Sequence, residues 1–441
     1  MLSSQLYATT DILPVAGLDR LAEHLPNTWI EQALAATGTA SIRRRRLPAE
    51  QVVWLVIGLA IYRRQSMPEV LATLDLALSV ASEQAVSKSA VTQARQRLGA
   101  KPLAQLFDQT ARAWCQQDAG IHAWKGLSLW AMDGTTFRTP DSADNRAHFG
   151  AQAYASGKVA SYPQVRAVSI TAIPTHLVSD IAFGTYAQNE MLYAKTLVGR
   201  IADHSLTVFD RGFLCAEILL GLTQGGQERH YLIPAKSNTK WEVLSGSADD
   251  CLVRMRVSPQ ARAKAPELPE HWTARAVRMV SANGKQRVLL TSLLDRRRFK
   301  AEALAECYRR RWEIETSYRE LKQSMLGEAL TLRSQQPEGI EQEIWGALIA
   351  YNLVRLEMAK AAIEAKVEPT DLSFLRALHI LQHEMIWAVG MAPGKLPAHL
   401  VRLRTQMQFK KKKKRRGRQC PRIVKALPKR YTVRYLKKDL N

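Results

Sequence analysis

The chain has 441 residues, 46% of them hydrophobic, and a formal net charge of +23 with a pI near 10.0. That length supports two or three domains with real cores, and that charge far exceeds what solubility needs, so a polyanionic partner is expected. The sequence argues against a membrane protein: the longest apolar run, Val52 to Tyr62, is about 11 residues against the ~20 of a spanning helix, and residues 1–13 lack the pattern of a secretory signal.

Residues 1–122 read as a helical domain. Helices are predicted at Leu18–Leu25, Glu50–Tyr62 and Pro68–Leu78, with the basic run Arg43–Arg46 after the first. Ser87–Leu98 follows, with Ser87 or Ser89 as N-cap and Gly99 as stop signal. The last two resemble a helix-turn-helix whose second helix offers Gln93, Arg95, Gln96 and Arg97 to DNA, although the loop between them is long for that motif. The alternative is an ordinary helical pair with solvated polar residues.

From about Gly126 the pattern changes. Strands are predicted at 127–133 (LSLWAMD), 164–173, 175–184, 205–210 (SLTVFD) and 230–236, with helices from Asn189 and over 213–222. The order β-β-β-α-β-α-β belongs to an α/β sheet layered with helices and matches the start of an RNase H-like fold. The catalytic core is thus expected at 123–236 and, after a β-rich insertion over 237–295, again at 296–335. A helical C-terminal region at 336–408, with helices at 339–366 and 372–389, leads into a basic tail at 409–441. The tail has little to bury and is expected to be disordered, or ordered only on a polyanion.

Asp133 and Asp210 each end a predicted strand, the edge where ligands gather in an open α/β sheet. Carboxylates there suit phosphodiester chemistry, in which two ions about 3.5–4 Å apart activate the attacking oxygen and stabilise the leaving one. A strand-ending Asp is also a common turn former, but the neighbours favour a phosphate site: small Gly134 and Thr135 after Asp133, and the cation Arg211 with Gly212 after Asp210. His379 and His383 stand at i, i+4 without a third ligand and read as packing or surface residues. Cys115, Cys215, Cys251, Cys307 and Cys420 form no CxxC pair and read as reduced thiols of a cytoplasmic protein.

The stretch Tyr308–Lys322, YRRRWEIETSYRELK, carries the most information. On an ideal helix Tyr308, Arg311, Glu315 and Lys322 fall at roughly 0°, −60°, −20° and −40°, one narrow polar stripe. Cys307, Ile314, Tyr318, Leu321 and Met325 form a separate apolar stripe at roughly −80° to −140° that can hold the polar one beside a cleft. A carboxylate ringed by phosphate-binding side chains suits a metal ion working on a nucleic-acid backbone. An i, i+4 pair of Glu315 with Arg311 or Arg319 on a solvated helix is the plainer reading, but it leaves the tyrosine and the remaining cations unexplained.

The spacing Y-x2-R-x3-E-x6-K of these four residues resembles the YREK signature of bacterial DDE transposases of the insertion-sequence-four type. The segments AMDGTTF around Asp133 and VFDRGF around Asp210 resemble that family's other two catalytic segments, and the likeness covers roughly residues 10–435. The resemblance implies an enzyme of DNA transposition. Asp133, Asp210 and Glu315 would bind two Mg²⁺ ions, with Mn²⁺ able to substitute, and Tyr308, Arg311 and Lys322 would grip phosphates. Water would free a 3′-OH that attacks target DNA. The implied partners are double-stranded terminal inverted repeats and target DNA, held by a homodimer beside the nucleoid. Related elements flip a base onto an aromatic of the insertion; Trp241 and Trp272 lie there, and no motif selects between them. Two alternatives remain open: a catalytically inactive DNA-binding protein derived from a transposase, and an RNase H-like nuclease or resolvase. Inverted repeats flanking the coding region would separate these from a mobile element's enzyme.

Overall fold

The computed structural model describes residues 24–40, 47–74, 86–119, 121–153, 159–280, 284, 286–327, 331–388, 396–408 and 433–434. The run Arg43–Arg46, the predicted helix over 18–23, the predicted helix end over 75–78 with the residues 79–85 after it, and most of the basic tail lie outside them. The described residues fall into two compact units that cut across the expected sequential domains.

The first unit joins residues 1–113, 137–164 and 319–441. Its helices are α1 (Asn27–Ala36), α2 (Ala49–Ile61), α3 (Met67–Thr73), α4 (Lys88–Leu98), most of α5 (Lys101–Ala119), α6 (Ala143–Phe149), α12 (Pro337–Glu364), α13 (Phe374–Ala388) and α14 (Leu396–Gln408). The regions expected as separate N- and C-terminal helical domains therefore share one body. The reason is α2, apolar all round and buried from Val52 to Ile61, which must be covered on every face. α12 supplies one cover, and a Cβ on its Gly346 would lie 3.1 Å from the Val56 carbonyl oxygen, so the two backbones approach closely. Ser87 caps α4 by accepting from the Ala90 N–H at 3.2 Å, and Gly99 ends it at φ +68°, as its sequence predicts. Within the tail, Val433–Arg434 form a two-residue strand, β11, antiparallel to β2 (Val159–Ala160), so this part of a segment expected to lack structure is paired.

The second unit comprises residues 114–136 and 165–318. It is built on the nine-stranded sheet of the described residues: β1 (Ser128–Arg138), β3 (Gln164–Ala172), β4 (Val178–Thr185), β5 (Ser205–Phe209), β6 (Arg229–Pro234), β7 (Glu242–Gly246), β8 (Asp250–Arg256), β9 (His271–Val280) and β10 (Gln286–Thr291). The order β4-β3-β1-β5-β6-β10-β9-β8-β7 contains, over its first five strands, the arrangement of an RNase H-like core. β5 and β6 run parallel to β1, and every residue of β5 is buried, as a covered parallel strand requires. The strands of the β-rich insertion do not form a separate body. β10 pairs with β6, and β7–β9 carry the same sheet onward. Trp272 is packed in this extension, 5.9 Å from the Tyr231 ring, whereas Trp241 is half-buried.

Arg275, 1% exposed, ties the extension to the chain at Phe299. Its Nε and Nη2 donate to the Asp250 carboxylate at 2.8 and 2.7 Å, and its Nη1 donates to the Phe299 carbonyl at 2.6 Å. Removing one partner of such a pair strands a buried charge. Asp250→Ala is therefore expected to destabilise the protein by about 3 kcal/mol, read as a lower denaturant midpoint.

α7 (Glu190–Val198), α8 (Ala216–Gln224), α9 (Pro259–Lys264), α10 (Ala301–Arg309) and α11 (Trp312–Arg319) complete this unit. Leu304, Cys307, Tyr308 and Ile314 pack into one core with Leu129, Ala131, Leu206, Val208 and Leu232 of the sheet. The apolar stripe predicted for the signature segment is thus the face that anchors it. Each such fully buried aliphatic side chain contributes roughly 1.5–3 kcal/mol.

The signature segment itself is not one helix. α10 ends at Arg309, and the Arg310, Arg311, Glu313 and Ile314 N–H groups bond three residues back, a tight 3₁₀-type turn. After α11 the chain widens into a π-helical turn, Glu320–Met325. The constant-pitch stripe is corrected accordingly, and the division between the two units falls between Tyr318 and Arg319.

Candidate active site

Asp133 does not end its strand, since β1 continues to Arg138. What ends there is the parallel pairing, whose last partners are Met132 and Phe209. Asp133, still within β1, and Asp210, the first residue after β5, directly follow that last pair, where neighbouring strands run roughly 4.8 Å apart. Both carboxylates are turned back onto local amides. Asp133 Oδ1 accepts from the Gly134 N–H at 2.8 Å, and Asp210 Oδ2 accepts from the Gly212 N–H at 3.1 Å, capping a 3₁₀ turn at Arg211–Phe213. The turn-forming role is real for Asp210, and its place beside Asp133 goes beyond it. Arg211 is exposed.

Arg311 ties the signature segment to this sheet edge. Its Nη2 donates to Glu315 Oε1 at 2.9 Å and its Nη1 lies 3.5 Å from Asp133 Oδ2. The i, i+4 pair therefore exists, but its arginine is largely buried and shared with a strand carboxylate, unlike a pair on a solvated helix. The 3₁₀ turn makes this possible. At three residues per turn Arg311 stands over Tyr308, and the Arg311 N–H donates to the Tyr308 carbonyl at 3.0 Å. Tyr308 is 5% exposed and belongs to the core, so this ring is walled in rather than presented at a surface. Burial raises its phenol's pKa, and the Arg311 guanidinium works against that rise.

Two groups not singled out in the sequence complete the setting. Glu190, the first residue of α7, sits so close to Gly134 that a Cβ there would meet its carboxylate within 2.4–2.7 Å. The Tyr318 hydroxyl donates to the Asp133 carbonyl at 2.6 Å and lies 2.8 Å from Ser169 Oγ of β3. His176, in the β3–β4 turn, holds α11 through Glu313 Oε2 at 3.0 Å. The sequence signal for Tyr318 was its place on the apolar stripe, which reports burial but not the strut its hydroxyl makes. Glu190 gave no signal beyond a helix start.

Lys322 lies in the π-helical turn, in the first unit. On α4, Arg97 is exposed, whereas Arg95 donates from Nε to Gln342 Oε1 at 2.7 Å. Arg95 is thus not freely presented, because its Nε is engaged within its own unit. His379 and His383 are exposed, in keeping with surface residues.

Burial pushes the Asp133 carboxyl up to about 6, with Asp210 and Glu190 pushing the same way and the Gly134 N–H and Arg311 holding it down. A carboxyl whose pKa is higher folded than unfolded favours the fold while protonated and loses that contribution as pH rises through about 6. The cation-free protein should therefore lose about 1.4 kcal/mol of stability between pH 5, about one unit below that value, and pH 7.5 at this position. Asp133→Asn should flatten that dependence, as read from denaturant midpoints at the two pH values.

A divalent cation suits this donor set: a desolvated carboxylate with two like charges beside it and one guanidinium as counter-ion. Among the described residues no three His, Cys, Asp or Glu side chains converge closely enough to enclose one. Asp133 and Asp210 form the near pair, and Glu315 is joined to Asp133 through Arg311. Among the described residues, too, no helix is long and apolar enough to cross a membrane.

A family model described as transposase DDE domain matches residues 124–353, and one described as insertion element 4 transposase N-terminal matches residues 15–108. The transposase InsG for insertion sequence element IS4, from Escherichia coli (strain K12), is 39% identical over 416 residues, which is 94% of this chain and 93% of that protein. InsZ of the same strain is 36% identical over 239 residues, 53% of this chain and 77% of its own. The piggyBac transposase, solved as a synaptic complex with hairpin DNA, aligns at a TM-score of 0.43 and 11% identity over 88% of this chain and 85% of that one.

Proposed function

Since this chain belongs to the insertion element 4 family of transposases, with a DDE catalytic domain that cleaves and joins DNA with divalent metal, we propose that Asp133, Asp210 and Glu315 are its catalytic carboxylates. The observation that carries this reading is the strand register in which Asp133 and Asp210 directly follow the Met132–Phe209 pair, together with the Arg311 bridge from Asp133 to Glu315. The three carboxylates would hold two Mg²⁺ ions, with Mn²⁺ as substitute. Bound there, the cations would neutralise charge on the attacking and leaving oxygens.

The protein's own groups do the rest. Arg311, Arg211 and Lys322 neutralise phosphates of the element's end. Tyr308 buttresses Arg311 from the core, and Tyr318, held in turn by Ser169, fixes the backbone of Asp133. Water attacks the phosphodiester at the element's end and the strand leaves with a free 3′-OH. That hydroxyl then attacks target DNA. Arg97 and the exposed face of α4 contribute to reading the terminal inverted repeat. The enzyme works as a homodimer on two ends, in the cytoplasm at the nucleoid.

Purified protein, a duplex carrying its own element's end, and Mg²⁺ test the reading. Nicking at the end is expected, in Mn²⁺ as well and not in EDTA. An end that is bound tightly yet stays uncut in both metals would favour the DNA-binding protein without catalysis.

A further inference from the structure

We propose that the first unit contains a pocket for one nucleotide, taking its phosphate and its base together. A cavity of about 610 Å³ lies between α2, α3, α4 and the start of α12, within the size range of small-molecule sites. Its floor is apolar, made by Val56, Leu59, Ala60 and Leu326. Its walls carry Arg63, Lys88, Arg95 and Arg333 against two carboxylates, Glu338 and Glu343.

The cations crowd one another. Burial lowers the pKa of both Arg95 and Arg333, and the charge of Arg63 lowers each further. Glu343 balances only part of this. Its Oε2 accepts from Arg63 Nη1 at 3.2 Å and from the Arg333 N–H at 2.9 Å. Its Oε1 is buried without a hydrogen-bond partner, on a residue only 9% exposed that lines the cavity. A buried carboxylate oxygen left without a donor is costly.

A ligand that satisfies this site needs an anionic group for the guanidinium cluster, a flat apolar face for the floor, and an N–H donor for Glu343 Oε1. Inorganic phosphate supplies only the first, and a fatty acid lacks the donor. A nucleotide supplies all three. Bases with an exocyclic amine (guanine, adenine, cytosine) suit the carboxylate better than thymine, whose single N–H stands between two repelling carbonyl oxygens. The nucleotide either is turned out of a DNA strand or arrives free; the same chemistry serves both. The assignment rests on the first unit alone and not on the cleavage reading.

Calorimetric titration of the full chain with dGMP, dCMP, dTMP and deoxyribose 5-phosphate tests it. Saturable binding is expected, with dGMP or dCMP about fivefold tighter than dTMP and about tenfold tighter than the base-free sugar phosphate. Thr92→Trp, from an exposed position on the cavity wall, fills the mouth, and Arg333→Gln removes one exposed cation. Each should weaken dGMP by about tenfold or more with an unchanged melting midpoint. Absence of saturable binding, equal affinity for the base-free phosphate, or wild-type dGMP affinity in Thr92→Trp would overturn the pocket. Adding end DNA distinguishes the sources: competition with dGMP assigns a nucleotide of the DNA, and its absence assigns a free one. End cleavage is scored separately, so a protein that cuts but binds no nucleotide rejects the pocket alone.

Discussion

Glu315→Ala is expected to reduce end cleavage by at least about 10³-fold, a barrier increase of about 4 kcal/mol, while affinity for end DNA changes little. Glu315 is 39% exposed at its side chain, so its loss opens no core cavity. Its described partner, Arg311, keeps its contact with Asp133. The fold should therefore survive, and the deficit should fall on the chemical step. Gel-shift titration beside single-turnover cleavage checks both halves. Retained cleavage would remove Glu315 from the triad, and lost DNA binding would make it a structural residue.

Arg311→Gln should lose cleavage by about 10²- to 10³-fold, as removal of a charge-stabilising donor typically does, and should also weaken the cation-free fold. The guanidinium counters Asp133, which Asp210 and Glu190 already oppose. Its removal leaves that cluster unbalanced, at a cost of about 1–3 kcal/mol. A divalent cation can take over the balancing role, so added Mg²⁺ should raise the melting midpoint of Arg311→Gln by more than it raises that of wild type. Cleavage should stay low even then. A midpoint that Mg²⁺ does not raise would sink the idea that arginine and cation answer the same charge.

How much of the fold and site was legible in the residues depends on which force set each feature. Strands β1, β3, β4, β5 and β6 follow from dense apolar runs between turn residues, and all five lie close to their predicted positions. The apolar stripe of the signature also held, because burial of Cys307, Ile314, Leu321 and Met325 is a local consequence of spacing. The pairing of β10 with β6 was not legible, since strand patterns show that a segment pairs but not with which edge. The Asp133–Asp210 register was likewise hidden: two strands 77 residues apart carry no mark of their alignment. Arg95 illustrates the reverse. A polar helix position looks available in sequence, and only a distant residue, Gln342, shows that it is occupied. The pitch changes at Arg310–Arg311 and Glu320–Met325 were hidden as well, because a constant 100° step contains neither a three-residue turn nor a wider one.

Those pitch changes bear on whether the signature is portable. Grafted onto a straight scaffold helix, the fifteen residues Tyr308–Lys322 would keep their spelling and lose their geometry. At constant pitch the arginine would stand roughly 60° around the axis from the tyrosine instead of above it. The transplantable unit is larger: the tight turn, the core that walls in the tyrosine, and the stretch of β1 whose Asp133 meets the arginine. A designer borrowing this chemistry would have to move the sheet edge with the helix.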